Sequence, residues 1–342
     1  MGDVVIATSV LPFLKKKFPK SQIGFIVSSY TKCVIEKHPL VDFIYTVDHW
    51  KLDRSKKSLV RKFFHYLKTK RKALAEIKKE KYDVAIDLYL YFPNSVFLFW
   101  QAKIPVRIGY TSGGFGPLLT HPVDWQDKKH YMSFYYEELL AKLDGSIKVS
   151  TQGFIQKPLL PNLPKIKNGR EFLREKIPEK FLEKGYIVVH PSSDEMLKEW
   201  PLEKWQELLV KNQGSNFFVF TGKGEREKKN IKKICESFSS EFFVDLSDKL
   251  QWEELLCVIQ EAKLLISLDT CVTHIAKSFS VPNIILFAGL DDPCKWAPPE
   301  SFLFFQQKSC LPCFKKEGCS KMECVRDVSV CDVYKKMTEI LT

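Results

Sequence analysis

Short apolar runs and longer amphipathic segments alternate along most of the chain. In the first half, apolar runs predict strands at residues 23–27, 43–47, 84–88 and 107–110. Apolar residues at helical spacing predict helices that include residues 7–18 and 131–143. This regular alternation of strands and helices predicts an α/β fold, in which parallel sheets carry helices on both faces.

A second alternating series begins at Tyr186. Strands are predicted there at residues 186–189, 217–220, 242–246, 264–266 and 284–287. Between the two series the pattern is broken by four prolines, Pro158, Pro161, Pro164 and Pro178. Because 342 residues are too many for one ordinary core, we expect two domains. The first is expected at residues 1–150 and the second at residues 186–342, with a connection at 151–185.

The stretch from residue 264 to residue 282 organises the second half. Its strand ends at Asp269 and Thr270, which favour helix N-caps, and a helical pattern follows. Thr273 and His274 then lie in the first helical turn, at the carboxyl end of a parallel strand, where α/β proteins bind ligands. Helix N–H groups and the helix dipole favour a phosphate there. The alternative interpretation is an ordinary capped turn with a surface histidine.

Other strands of the second half also end in polar segments. These segments are His190-Pro191-Ser192-Ser193 with Lys198-Glu199-Trp200-Pro201, Thr221-Gly222-Lys223-Gly224-Glu225, and Asp291-Asp292-Pro293. Because the carboxyl ends of parallel strands share one edge, we expect the segments to line one cleft that faces the first domain. Pro201 is expected at the first position of a helix.

The formal net charge of +12 favours a polyanion, a phosphate-rich substrate or an anionic membrane face as partner. Most of this charge lies between residues 51 and 82, where thirteen Lys or Arg accompany only three acidic residues. Apolar residues recur there at helical spacing, which predicts one or two basic amphipathic helices. The alternative is a solvated helix that packs on the core through its apolar stripe.

The composition is that of an ordinary globular protein. Its apolar fraction is 45%, and no apolar run approaches the ~18 residues of a membrane span. The N-terminus carries no charged-then-apolar leader, so we expect a cytoplasmic protein whose ten cysteines are reduced. Cys310, Cys313, Cys319 and Cys324 are spaced in a way compatible with zinc or an iron–sulfur cluster. Since that spacing is irregular, we favour reduced thiols and expect no metal.

Five groups of motifs occur in order along the chain: Gly2-Asp3 with Ser9-Val10-Leu11 and Phe18-Pro19, His190-Pro191 with Lys198-x-Trp200-Pro201, Gly222-x-Gly224-Glu225, Asp269-Thr270-x-x-x-His274-x-Ala276 with Val281-Pro282, and the late Cys310-x-x-Cys313. Taken together, they resemble the motifs of the ADP-heptose:lipopolysaccharide heptosyltransferases, glycosyltransferase family 9. The resemblance implies a GT-B fold, with two Rossmann-like domains that face each other across a cleft. It also implies inverting transfer of heptose from ADP-heptose to the lipopolysaccharide core, without a metal or other cofactor.

The resemblance also implies roles for individual residues. Asp3 would be the general base that takes the proton from the acceptor hydroxyl, and Lys198 would pair with the donor phosphate. Glu225 would hold the donor ribose. The remaining donor-binding candidates are Ser192, Ser193, Asp269, Thr270, Thr273 and His274. Taken singly, these residues have plainer interpretations: a helix N-cap for Asp3, a surface lysine for Lys198, turn caps for the serines and a free glutamate at a helix start.

The basic segment fits the implied acceptor, since the lipopolysaccharide inner core carries phosphates and acidic Kdo sugars. Lys56, Lys57, Arg61 and Lys62 are expected to face this acceptor and the anionic inner face of the inner membrane, with which the protein would associate peripherally. Family members usually carry a hydrophobic strand before the Gly-Asp turn, whereas here Met1 stands in its place. We therefore expect either a start further upstream or an impaired first domain. Cys271 stands where many relatives carry glycine.

Two competing interpretations are open at this stage. The chain could be another GT-B enzyme, such as a UDP-sugar transferase or epimerase. It could also be a non-catalytic binding protein, whose basic surface suits nucleic acid. No known nucleic-acid-binding motif is present, and Asp3, Lys198, Asp269 and His274 occur together. We therefore expect an enzyme that does not bind nucleic acid.

Overall fold

A computed structural model describes residues 1–53, 55–143, 158–314, 319 and 321–342 of the chain. The chain divides into two compact units, which comprise residues 1 and 3–164, and residues 2 and 165–342. Parts of three expected segments lie outside the described residues: the end of the first domain at 144–150, the connection at 151–157, and positions 315–318 and 320 between the late cysteines. None of the described helices is both long and apolar enough to cross a membrane.

The first unit contains two small parallel sheets rather than one. Strands β1 (Gly24–Val27) and β2 (Phe43–Thr46) form one pair. Strands β3 (Val84–Ile86), β4 (Val106–Tyr110) and β5 (His121–Val123) form the other sheet, in that order. The four predicted strands are all present. The short strand β5 was not predicted, because the sequence His121-Pro122-Val123 offers no apolar run and carries a proline, which is unusual within a strand.

The described residues of the first half form five α-helices. They are α1 (Gly2–Ala7), α2 (Val10–Lys17), α3 (Leu59–Glu80), α4 (Val96–Gln101) and α5 (Met132–Leu143). The single helix predicted over residues 7–18 is therefore interrupted at Thr8 and Ser9. The Thr8 hydroxyl donates to the Val5 carbonyl at 2.6 Å, a local bond that competes with helix continuation. The basic segment forms one helix, α3, which Ser58 caps by accepting from the Arg61 N–H.

The second unit is built on one six-stranded parallel sheet. Its strands are β6 (Ile187–His190), β7 (Phe218–Phe220), β8 (Phe243–Asp245), β9 (Leu264–Leu268), β10 (Asn283–Leu286) and β11 (Phe302–Phe304). Their spatial order is β11-β10-β9-β6-β7-β8, so β6 and β9 are the central pair. Every residue of β7, β9 and β10 is buried, which agrees with the apolar runs that predicted them.

Helices cover this second sheet. They are α6 (Gly169–Leu173), α7 (Glu179–Lys184), α8 (Leu202–Lys211), α9 (Glu225–Cys235), α10 (Trp252–Gln260), α11 (Cys271–Ser278), α12 (Pro293–Trp296), α13 (Glu323–Arg326) and α14 (Val330–Leu341). The first two of these helices, α6 and α7, are short and lie in the stretch where the prolines suggested a connection. Pro201 is the N-cap of α8 rather than its first helical residue, a difference of one position.

Candidate functional site

The candidate site lies at the carboxyl edge of strands β6 and β9. The two strands pair in parallel, with His190 opposite Ser267, so the chain leaves both strands at the same edge. Ser192 follows β6 by two residues, and Asp269 and Thr270 follow β9 directly. The sequence prediction that these segments meet at one edge of the second sheet is therefore confirmed within this unit.

A lysine at this edge is held between two carboxylates. The Lys198 Nζ atom lies 2.9 Å from Asp269 Oδ2 and 2.9 Å from Asp291 Oδ2. Burial acts to lower the pKa of Lys198, but the two carboxylates outweigh it and raise that pKa above its ordinary value. The three ionised groups carry +1 and −2, which sum to −1. Lys198 is therefore a fixed cation whose charge is already neutralised inside the protein.

The two carboxylates differ in their exposure. The side chain of Asp269 is buried, and this burial raises its pKa, although Lys198 opposes the rise. The side chain of Asp291 retains 37% of its surface in contact with solvent. Moving Asp291 away from Lys198 therefore costs less free energy than moving Asp269, so Asp291 is the carboxylate that another anion can more easily replace. The sequence analysis noted Asp291 only as a loop residue, because nothing in its neighbourhood along the chain signals a contact with Lys198.

Three hydroxyl groups at this edge are buried and have no hydrogen-bond partner among the described residues. They are Ser192 Oγ, Thr270 Oγ1 and Ser267 Oγ, the last of which lies within strand β9. Thr270 is the N-cap of α11, yet its side chain accepts no capping bond from the helix. A buried hydroxyl that makes no hydrogen bond costs about 1–3 kcal/mol, so such groups call for an explanation. Ser192 and Thr270 follow their strands and so lie where α/β folds bind ligands, and a ligand oxygen would supply the missing partner.

The other two predicted residues of α11 are buried and differ in chemistry. Thr273 donates its hydroxyl to the Thr270 carbonyl at 2.9 Å, and its own carbonyl accepts from Asn283, so its polar groups serve the fold. Burial lowers the pKa of His274 to about 3, which keeps the imidazole neutral near pH 7. His274 is therefore able to hydrogen-bond a ligand but supplies no positive charge to it.

Ser193 differs from Ser192 because its hydroxyl already has a hydrogen-bond partner within the loop that follows β6. Its hydroxyl accepts from the Glu195 N–H at 3.2 Å, and its own N–H donates to Glu199 at 3.3 Å. Arg226 on α9 bonds both the Ser193 carbonyl and the Glu199 carboxylate. These contacts match the plainer interpretation of Ser193 as a turn cap, and they fix the loop that carries Ser192.

Glu225 begins helix α9 and is exposed. The residue before it, Gly224, has φ of 97°, a conformation that favours glycine, and its N–H donates to Asp248 at 2.7 Å. Glu227, two residues further on, is instead buried, and its carboxylate accepts from the Lys223 N–H at 2.9 Å. Of the two acidic residues at this helix start, Glu225 is the one accessible to a ligand.

In the first unit, Asp3 is exposed and lies inside the first turn of α1. The N-cap of that helix is Met1, so the plainer interpretation of Asp3 as an N-cap is wrong. Its negative charge contributes, after burial, to the raised pKa values of Tyr89 and Tyr136. An accessible carboxylate beside tyrosines is suited to accept a proton from a ligand hydroxyl.

The predicted acceptor-facing residues precede or begin helix α3. Lys56, Lys57 and Arg61 are exposed, whereas Lys62 is half-buried and donates to the Asp53 carbonyl at 2.7 Å. Solvent-facing cations therefore flank the start of this helix.

The late cysteines are exposed or half-buried thiols. Cys324 Sγ accepts from the Gly289 N–H and Cys319 Sγ accepts from the Met322 N–H, both at 3.4 Å. Among the described residues, no group of three or more His, Cys, Asp or Glu is placed to hold a metal ion.

A parallel α/β unit with a polar edge, a largely buried lysine and unpartnered hydroxyls is typical of proteins that bind anionic ligands such as nucleotides. The model of glycosyltransferase family 9 (heptosyltransferase) matches residues 71–324, and the chain belongs to this family. The family resemblance predicted from the motifs is thus confirmed, and the protein is a glycosyltransferase.

Individual relatives agree with this assignment. The chain is 23% identical over 309 residues to lipopolysaccharide heptosyltransferase 3 of Escherichia coli, which covers 87% of this chain and 83% of the relative. A family 9 glycosyltransferase from Veillonella parvula superimposes with a TM-score of 0.76 at 19% identity, covering 99% and 94% of the two chains. Escherichia coli heptosyltransferase WaaC, solved with ADP-2-deoxy-2-fluoro heptose, gives 0.71 at 17% identity, covering 99% and 96%. The predicted α/β fold of the GT-B class, with parallel sheets, is confirmed.

Proposed function

We propose that the protein transfers heptose from ADP-heptose to the inner core of lipopolysaccharide, onto Kdo or a heptose, with inversion at the anomeric carbon and without a metal ion. The observation that carries this proposal is the edge of β6 and β9, where Ser192 and Thr270 have unpartnered hydroxyls and Lys198 pairs with Asp269. Family membership and the ADP-sugar analogue bound to the Escherichia coli relative support the choice of donor.

The second unit would hold the donor. The hydroxyls of Ser192 and Thr270 would donate to diphosphate oxygens, and the N-terminus of α11 would add its positive dipole. Lys198 would meet the negative charge that develops on ADP as the bond from the anomeric carbon to the phosphate oxygen breaks. Glu225 would accept hydrogen bonds from the ribose hydroxyls. Neutral His274 would hydrogen-bond the sugar or the diphosphate without adding charge.

The first unit would supply the base. As the acceptor oxygen bonds to the anomeric carbon, its proton would pass to the Asp3 carboxylate, and ADP would leave from the opposite face. Each turnover therefore forms one glycosidic bond, breaks one sugar–phosphate bond and places one proton on Asp3. Because Lys198, once released from Asp291, and a helix N-terminus would supply positive charge to the leaving group, this scheme needs no divalent cation.

The protein would work at the cytoplasmic face of the inner membrane, where Lys56, Lys57, Arg61 and Lys62 would face the anionic acceptor and lipid phosphates. Attraction of this kind is screened by salt. Association with anionic vesicles is therefore expected to decrease as the salt concentration is raised, and binding that salt leaves unchanged would contradict this part of the proposal.

A donor panel tests the proposed reaction. Purified protein would be incubated with an inner-core acceptor and, in separate reactions, ADP-heptose, UDP-glucose or UDP-N-acetylglucosamine. Mass spectrometry would follow the acceptor, which is expected to gain one heptose with ADP-heptose alone. Preferential use of a UDP-sugar would contradict the proposal and favour another GT-B enzyme. Interconversion of UDP-sugars without any acceptor product would favour an epimerase.

A further inference from the structure

The first two turns of helix α3 carry large apolar side chains that face solvent. Leu59, Val60, Phe63 and Phe64 are each between 44% and 67% exposed. They occupy positions i, i+1, i+4 and i+5, so they share one face of the helix. Further along the same helix, Ala73 and Ile77 are buried in the core of the first unit. The apolar pattern of α3 therefore serves the fold only in its second half.

This exposed face continues across neighbouring loops through ring contacts. Phe63 lies 6.5 Å from Tyr66, Tyr66 lies 4.6 Å from His49, and His49 lies 6.0 Å from Phe92, measured between ring centroids. Phe92, in turn, lies 6.3 Å from Phe115. Phe92 and Phe115 are themselves exposed, by 51% and 41%. We use the name aromatic–basic surface for two groups of side chains taken together. The apolar group is Leu59, Val60, Phe63, Phe64, Phe92 and Phe115, and the basic group is Lys51, Lys56, Lys57 and Lys70.

Lysines are interleaved with these rings. Lys51 Nζ lies 4.8 Å from the centroid of the Phe92 ring, and Lys70 Nζ lies 4.4 Å from that of Phe97, which stacks on Phe115. Lys56 and Lys57 are exposed immediately before α3. Acidic side chains nearby are few, and Asp48 among them is paired with His65 at 3.0 Å. The surface therefore combines an extended apolar area with a strong positive charge.

We propose that the aromatic–basic surface docks onto an anionic lipid bilayer, with Leu59, Val60, Phe63 and Phe64 entering the boundary between headgroups and acyl chains. A helix with one apolar face and a flank of Lys and Arg is the kind that lies in the plane of a bilayer interface. Aromatic rings favour the same depth, and lysines reach from there to the lipid phosphates.

The charge and the residue types select the bilayer over other occupants. A second copy of this chain would bring an equally basic surface, and the two would repel each other. Single-stranded nucleic acid would use the rings for stacking but would gain nothing from the aliphatic Leu59 and Val60. An anionic bilayer would pair its phosphates with the lysines and would bury the aliphatic side chains. This inference rests on the membrane contact of the proposed function, which it extends to the apolar side chains of α3, and it does not depend on which sugar or nucleotide the catalytic site uses.

The bilayer contact has two separable components. Attraction between the lysines and lipid phosphates weakens with salt, whereas burial of apolar side chains does not. Binding to anionic vesicles is therefore expected to fall as salt is raised, but part of the binding should persist at high salt and depend on Phe63 and Phe64. This salt-resistant binding distinguishes an inserted helix from a purely electrostatic contact.

Vesicle flotation with the 342-residue chain tests the inference. The vesicles would be phosphatidylglycerol with phosphatidylcholine in equal parts, or phosphatidylcholine alone, at 50 and 500 mM KCl. The variant F63S/F64S is expected to partition at least tenfold less onto anionic vesicles than the unchanged protein at both salt concentrations. The variant K56S/K57S is expected to lose binding mainly at 50 mM KCl.

The matched control is F172S/V210S, which removes two similarly exposed apolar side chains from helices α6 and α8 of the second unit. It is expected to bind vesicles as the unchanged protein does. Circular dichroism would establish that each variant is folded, and light scattering would report its oligomeric state. Equal vesicle binding by F63S/F64S and the unchanged protein would overturn the inference. A change from dimer to monomer in F63S/F64S with vesicle binding unchanged would also overturn it, in favour of an interface between copies.

A water-soluble acceptor separates this inference from the proposed reaction. With a core oligosaccharide that lacks its lipid, F63S/F64S is expected to turn over as fast as the unchanged protein. A loss of turnover on this acceptor equal to the loss of vesicle binding would overturn the inference and assign the surface to acceptor binding. If neither the unchanged protein nor any variant turned over any acceptor, the proposed function would fail, but the vesicle-binding result would still hold.

Discussion

Lys198 Nζ lies 2.9 Å from Asp291 Oδ2, although the two residues are 93 positions apart in the sequence. Lys198 follows strand β6 and Asp291 follows strand β10, and Asp269 at the end of β9 completes the ion-paired group. A diphosphate that reaches this edge meets a lysine already neutralised by two carboxylates. In the proposed reaction, binding of the donor would therefore be coupled to the release or rearrangement of one of them, and the partly exposed Asp291 would be the one released more easily.

Substitution of Asp291 tests this coupling. In the D291N variant the three groups would carry +1 and −1, so an incoming anion meets one negative charge fewer. We expect about three- to tenfold tighter binding of ADP, a modest effect because Asp291 is partly exposed to screening solvent. Isothermal titration calorimetry measures it. Weaker binding in D291N would instead mean that Asp291 is needed to position Lys198 for the phosphate.

Removal of Lys198 is expected to be costly in two ways. The K198A variant leaves Asp269 buried without its cation, which destabilises the protein by about 3–5 kcal/mol if the carboxylate stays ionised. Transfer should fall at least a hundredfold, because the departing ADP loses a charge that stabilises it. Urea unfolding and turnover measure the two effects. Full activity in folded K198A would remove the lysine from the reaction.

If the hydroxyl of Ser192 serves donor binding and not the fold, its removal should affect the KM for the donor without lowering stability. Because Ser192 Oγ has no partner, the S192A variant is expected to unfold at the same or a slightly higher urea concentration, while the KM for ADP-heptose rises up to tenfold. The matched control is S193A, which loses the bond from the Glu195 N–H and should lose stability. An unchanged KM in folded S192A would exclude contact between this hydroxyl and the donor.

Asp3 carries the proposed proton transfer. The D3A and D3N variants are expected to lose turnover by about 10²–10⁴-fold, because each removes a general base. The Kd for ADP, measured by calorimetry, should remain unchanged in both, since the second unit is intact. Turnover in D3A equal to that of the unchanged protein would rule out Asp3 as the base.

Buried His274 predicts a pH effect on stability. Its pKa is about 3 in the folded protein and about 6.5 when unfolded, so below pH 6.5 only the unfolded state gains the proton. The free energy of unfolding should therefore decrease by up to about 1.4 kcal/mol per pH unit between pH 6.5 and pH 3 through this residue. In H274N the melting temperature should fall less between pH 7.5 and pH 5.5 than in the unchanged protein. Parallel pH profiles for the two proteins would contradict this assignment.

The predicted absence of a metal is testable as well. We expect plasma mass spectrometry to find less than about one-tenth of an equivalent of zinc or iron per chain, and dialysis against EDTA to leave turnover unchanged, because in the proposed reaction Lys198 would supply charge to the leaving group. Stoichiometric zinc or iron that is lost in a C310S/C313S variant would reveal a metal site in the late cysteine segment.

The second sheet was predictable because its signals are local. Fully buried strands such as β9 appear as apolar runs, and the polar pair Asp269-Thr270 marks the start of α11. The contact between Asp291 and Lys198 was not predictable, since it depends on how three loops close together in space. The same is true of Ser192, whose missing partner becomes visible only when its burial is known.

The first unit was harder to predict for a different reason. Its strands are short and only partly buried, as in β1 and β5, so their apolar signal is weak. Helix α3 was correctly predicted as basic and amphipathic. Its exposed first half was missed, because an apolar stripe in a sequence looks the same whether it meets a core or solvent. Coordinates were needed to show that Phe63 and Phe64 are uncovered while Ile77 is buried.

The most direct test of the central claim is the stereochemistry and stoichiometry of a single transfer. The protein would be incubated with ADP-heptose and an inner-core acceptor, the released ADP would be quantified, and proton NMR would give the anomeric configuration of the new linkage. The proposed reaction predicts one heptose added per ADP released, with the configuration opposite to that of the donor. A retained configuration, or ADP release without a heptosylated product, would contradict it.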